Sequence, residues 1–234
     1  WLAFFIMGGL NNLIPFSLIV WGQSHIDSGL ASILTATTPL FTVTLAHFLT
    51  SDEKLSANKA IGILCGIFGV AVLIGPDAIG NLDGQAWGKI AILGAAISYS
   101  FAGIFGRRLS QLPTSVAAAG MLSGSSIMMM PLMFMFESPL NTSPDMASWG
   151  SVLAIAFLST SIAYLIYFHI LAKAGATNLL LVTFLVPVSA LLLGVLVLGE
   201  RLSLHALIGM ALIFAGLAAV DGRLLRRFRR RSTS

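Results

Sequence analysis

Eight long apolar runs, separated by short polar clusters, organise this chain of 234 residues. The runs cover about Trp1 to Gly22, Ser28 to Leu49, Asn58 to Gly75, Trp87 to Arg107, Thr114 to Phe136, Ala147 to Leu171, Thr177 to Leu198 and Leu204 to Val220. Each approaches the roughly 20 apolar residues that an α-helix needs to cross a bilayer. The clusters between them hold turn and capping residues: His25-Ile26-Asp27-Ser28, Asp52-Glu53-Lys54-Leu55-Ser56, Gly75-Pro76-Asp77, Ser143-Pro144-Asp145 and Gly199-Glu200-Arg201-Leu202-Ser203. The runs are too long and too evenly apolar for the strands of a membrane barrel, which alternate. The pattern predicts an all-α, polytopic transmembrane helical bundle with eight helices present.

Composition strengthens that reading. The chain is 57% hydrophobic and 9% charged, with a mean hydropathy of +0.93. A soluble domain carries about 25% charged residues, so lipid must cover most of this surface. The single Cys65 excludes an internal disulfide and, alone, a metal site. No cofactor is expected.

Charge sets the orientation. With the tail from Arg223 to Arg231 in the cytoplasm, alternating the helices puts 11 of the 13 Lys and Arg inside, and only Lys89 and Arg201 outside. The positive-inside rule requires this asymmetry. The residue 224–234 tail then reads as an anchor for anionic lipid rather than a nucleic-acid patch. The expected location is a bacterial inner membrane, with the protein a monomer or homodimer.

The chain also repeats itself. A shift of 148 positions lays Trp1 on Trp149, Leu10 on Leu158, Ile14 on Ile162, Thr35 on Thr183 and Pro39 on Pro187. One residue fewer in the next loop lays Glu53-Lys54-Leu55-Ser56 on Glu200-Arg201-Leu202-Ser203, Ile61-Gly62 on Ile208-Gly209, and Gly69 on Gly216. The first three helices thus match the last three, and the fourth and fifth lack a partner upstream. Trp1 opens inside an apolar run, without the basic stretch of a signal peptide. The expectation is a chain lacking two earlier helices, hence two five-helix repeats of opposite orientation, a common build for secondary transporters. The expected boundaries are residues 1–76 for the first repeat, 77–223 for the second and 224–234 for the tail.

The residues of this repeat resemble the EamA-type family of the drug/metabolite transporter superfamily. The resemblance rests on the run from Ser28 to Leu34, Pro39-Leu40-Phe41, Glu53-Lys54-Leu55-Ser56, Ile61-Gly62 and Gly69-Val70, with a second copy from Ala190 to Gly216. It implies ten helices, both termini in the cytoplasm, and transport of amino acids, other metabolites or drugs, often outward.

Polar residues in the middle of the runs are the site candidates. These are Asn11 and Asn12 in the first helix, Ser98 and Tyr99 in the fourth, and Thr160 and Tyr164 in the sixth. The repeat lays Asn11 on Ser159 and Asn12 on Thr160. They would bind a small polar solute, or else tie helices together, a common use of such side chains in membranes. Pro39 and Pro187 remove the backbone donors to Thr35 and Thr183. This marks either a hinge beside an aqueous cavity or a static kink. No Asp, Glu, Lys or Arg falls mid-span, which leaves His169 as the candidate proton-linked group. Gly62-x-x-x-Gly66 and Gly120-x-x-x-Gly124 suit close helix packing, and Glu53 and Glu200 read as structural residues of tight loops.

Two further classes compete with a transporter. An intramembrane enzyme would need paired catalytic groups such as His-Glu-x-x-His or Gly-x-Ser-x-Gly, and the chain carries neither. A scaffold subunit is not excluded, but an inverted repeat has a mechanical use in alternating access and no obvious one in a scaffold. The expected function is a secondary transporter exporting small polar metabolites such as amino acids, with a multidrug or other metabolite permease as the alternative.

Overall fold

The computed structural model describes residues 1–50, 55–74, 84–109, 112–136, 143–162, 166, 182–200 and 203–221. Among them, eight helical segments follow the eight apolar runs. Helix α1 is Leu2–Gln23 and α2 is Ser28–Leu49. Then come α3 (Ala57–Ile74), α4 (Gly84–Gly106), α5 (Thr114–Phe136), α6 (Met146–Ala154, extended by Ile155–Ile162), α7 (Val182–Val197) and α8 (Leu204–Asp221). Among the described residues, five spans, from α1 to α5, are long and apolar enough to cross a membrane. Large apolar side chains lie on the outside: Met146 is 86% exposed, Phe136 79% and Leu196 78%. Water would penalise such a surface, and a lipid environment removes the penalty.

The ends are set locally. Asp145 accepts the Ser148 N–H at 2.8 Å and starts α6. Ser203 accepts the Ala206 N–H at 3.1 Å and starts α8. Gly199 has φ +68, a left-handed conformation that glycine adopts without strain, and it turns the chain between α7 and α8.

The repeat is visible as an inverted pair. Helices α3 and α8 occupy matching positions in the two repeats and pack directly on one another, with Gly62 against Gly216 and Gly69 against Gly209. Residue numbers rise along one helix as they fall along the other, so the pair is antiparallel. A Cβ on Gly62 would sit 2.5 Å from the Gly216 carbonyl, and one on Gly216 would sit 2.5 Å from the Gly62 carbonyl. The Gly69 and Gly209 pair shows the same reciprocity at 2.9 Å. Only glycine allows backbones this close. Since the repeat equates Gly62 with Gly209 and Gly69 with Gly216, the two contacts exchange under it. That exchange is a two-fold axis perpendicular to the helices, which makes the repeats inverted in topology.

The buried core gathers Ile33, Leu34 and Leu40 of α2, Ile92 of α4, Leu191 of α7 and Ile213 of α8. Both repeats therefore meet in one apolar centre. On the other flank, Gly120 and Gly124 of α5 let Phe4 of α1 approach closely.

Candidate functional site

Helix α1 is not a uniform α-helix. Gly9–Leu13 forms a π-helical turn, and Ile14 N–H reaches back five residues to the Gly9 carbonyl. The next residue, Pro15, has no N–H, so the Leu10 carbonyl lacks its ordinary helical donor. The hydroxyl of Ser98 on α4 supplies one at 2.7 Å. A π-turn of this kind is rare and marks functional positions more often than ordinary helix does. A second π-helical stretch, Ile155–Ile162, covers the matching register of α6.

The first π-turn carries both asparagines. Asn12 is buried and donates its amide to Ser125 Oγ of α5 at 3.1 Å. Ser125 in turn donates to the Leu122 carbonyl at 2.9 Å. Asn11 donates to Asn12 Oδ1 at 3.3 Å and approaches Met121 Sδ at 3.4 Å. An amide in hydrocarbon needs such partners, because lipid offers none. Beside this network lies a cavity of about 200 Å³, lined by Asn12, Phe16, Ser17, Leu122, Ser125 and Met129. Its walls are mostly apolar with a few hydroxyl and amide groups, and no described charged residue lines it.

The other candidates are placed as follows. Ser98 is buried, with its proton committed to Leu10, and Tyr99 on the next position of α4 is half-buried. Thr160 lies in the second π-helical stretch and donates to the Ile155 carbonyl at 3.1 Å, the five-residue spacing of that geometry. Tyr164 and His169 lie outside the described residues. Among the described residues, no cluster of His, Cys, Asp and Glu is placed to hold a metal ion.

The two prolines differ. Helix α2 breaks into Ser28–Thr35 and Thr38–Leu49, and Pro39 sits in the first turn of the second piece rather than mid-helix. The Thr35 carbonyl is not left bare, because Thr38 Oγ1 donates to it at 2.7 Å. The Thr35 hydroxyl bonds the Ala31 carbonyl at 2.8 Å. Pro187 is buried inside an unbroken α7, whose backbone includes Thr183.

Three further contributors shape the site. Pro15 frees a carbonyl, Ser125 anchors Asn12, and Ser100 donates to the Thr38 carbonyl at 3.0 Å, tying α4 to the break in α2. The partners of Ser125 and Ser100 lie on other helices, which helical periodicity does not reveal.

A family model described as the EamA-like transporter family matches residues 1–75 and 86–220. Among curated proteins, the chain is 28% identical over 217 residues to "Uncharacterized transporter YoaV" of Bacillus subtilis, covering 92% of this chain and 74% of that one. It is 30% identical over 183 residues to "Uncharacterized inner membrane transporter YedA" of Escherichia coli, covering 77% and 58%. It is 29% identical over 199 residues to an Escherichia coli protein named "Probable amino-acid metabolite efflux pump", covering 81% and 66%. The chain thus spans three-fifths to three-quarters of these relatives' lengths. A solved crystal structure, 24% identical, shares the fold with a TM-score of 0.62 over 94% of this chain and 75% of that one.

Proposed function

The chain belongs to the EamA-like transporter family, and from that premise we propose that it is a secondary transporter of the bacterial inner membrane, exporting small polar metabolites by alternating access. Neutral or zwitterionic amino acids are the favoured solutes. One observation carries this reading: the amide of Asn12 sits buried on a π-turn at the edge of a cavity, with the matching register of α6 also π-helical. Matched polar turns in inverted halves suit a solute held near the membrane midplane. The name of the amino-acid efflux relative, and the inner-membrane name of YedA, point the same way.

In this reading Asn11, Asn12, Tyr99, Thr160 and Tyr164 bind the solute by hydrogen bonds and aromatic contact. Ser98 holds the π-turn that presents Asn12. The break in α2 between Thr35 and Pro39 hinges the first half, Thr183 and Pro187 flex the second, and His169 is the candidate proton-linked group. The tail from 224 to 234 lies on anionic lipid at the cytoplasmic face.

The second reading is a multidrug permease, favoured by the apolar share of the cavity wall. Volume argues against it. Pockets for drug-sized ligands run to about 300–1,000 Å³, and this one is about 200 Å³. Competition distinguishes the two: uptake of a labelled amino acid into proteoliposomes should be blocked by unlabelled amino acids and not by lipophilic cations. The reverse pattern would favour the drug permease.

A further inference from the structure

Helix α2 begins with a cap supplied by the other repeat. Its N-cap residue, Asp27, makes no side-chain capping hydrogen bond. Glu200, 172 residues away from Ser28 in the loop before α8, takes that place. Ser28 N–H and Ser28 Oγ donate to Glu200 Oε1 at 2.9 and 2.7 Å, and Gly29 N–H donates to Oε2 at 3.0 Å. Glu200 is itself held by its own N–H, which donates to the Gly194 carbonyl at 3.0 Å. Its carboxylate lies across Gly194 of α7, where any side chain would collide with it. Burial opposes the charge on Glu200, but the bonds from Ser28 and Gly29 outweigh it and hold the carboxyl below its ordinary value.

The capped piece, Ser28–Thr35, is a short half-helix that ends at the break of Ala36 and Thr37. It is pinned at one end by the second repeat and jointed at the other. Resting on the transporter reading above, we propose that Glu200 is a latch of the transport cycle. Its carboxylate clamps the start of α2 to the second repeat and shuts the solute path at the membrane face of that loop. Opening to this face breaks the three hydrogen bonds and swings Ser28–Thr35 about Ala36 and Thr37.

The substitution Ala31→Cys, at a position 1% exposed and one turn inside the latch, reports on this in the full-length protein with Cys65→Ser as background. Hydrogen bonds to a charged group are each worth roughly tenfold or more in an equilibrium. Maleimide labelling of the introduced thiol in detergent is therefore expected to be at least about tenfold faster with Glu200→Gln than in the parent. Ser28→Ala should fall between, and the double variant should label no faster than Glu200→Gln. Parental labelling rates in a Glu200→Gln protein with the parental melting temperature would overturn the latch. If Glu200→Gln fails to fold, a parental rate in Ser28→Ala overturns it equally. Labelling needs no solute, so a protein that moves no amino acid would contradict the transporter reading and leave the labelling result standing on its own.

Discussion

The Cys65 thiol donates a hydrogen bond of 3.4 Å to the Leu212 carbonyl, and Leu212 is the residue that the repeat matches to Cys65. A residue touches its own counterpart only where the axis relating the two halves passes. The inverted symmetry therefore runs between α3 and α8 at this contact, with Gly62 and Gly216 to one side and Gly69 and Gly209 to the other.

That symmetry orders the effects of substitution. Gly62→Ala and Gly216→Ala bring a Cβ to 2.5 Å from the facing carbonyl, and Gly69→Ala and Gly209→Ala bring one to 2.9 Å. Overpacking of this kind destabilises by about 1–3 kcal/mol. The members of each pair should destabilise alike, and the first pair more than the second. Thermal unfolding of the four variants in detergent checks this, and unequal effects within a pair would argue against a shared axis.

Ser98→Ala leaves the Leu10 carbonyl without its donor beside Pro15. The loss is expected to be roughly 1–3 kcal/mol for a buried unsatisfied carbonyl. Ser98→Thr keeps the hydroxyl and should retain most of the stability. Chemical or thermal unfolding of both variants separates the hydrogen bond from simple packing.

The distribution of Lys and Arg predicts that the loops around Asn81 and Asn141 face outward. Single cysteines introduced at Asn81 and at Asn141 should react with an impermeant maleimide on intact cells. A cysteine in the tail after Arg231 should react only after permeabilisation. Labelling of Asn81→Cys from the cytoplasmic side alone would reverse the topology.

Much of the fold is legible in the sequence because membrane helices announce themselves by length and apolarity. The run from Thr114 to Phe136 coincides with α5 residue for residue, and the glycines that align in the repeat are those that pack α3 on α8. The site is less legible. A π-turn changes one step in the hydrogen-bond ladder and leaves the apolar pattern of α1 unaltered, so Gly9–Leu13 looks like ordinary helix. Thr35-x-x-x-Pro39 and Thr183-x-x-x-Pro187 are the same motif, yet only the first breaks its helix. At the first, Ser100 of α4 donates to the Thr38 carbonyl beside the break, a partner that a linear motif does not contain. Glu200 similarly reads as a local loop residue, and its partner Ser28 is 172 positions away.

The most direct measurement is flux of a labelled neutral amino acid in proteoliposomes carrying the full-length protein, compared with Asn12→Leu and Tyr164→Leu. Asn12→Leu removes the amide while Ser125 keeps its bond to Leu122, so the fold should hold. The account predicts saturable, protein-dependent flux that falls by roughly tenfold or more in both variants, the factor expected for a lost hydrogen bond to a charged group of the zwitterion, at unchanged protein levels. No protein-dependent flux, or parental flux in both variants, would contradict it.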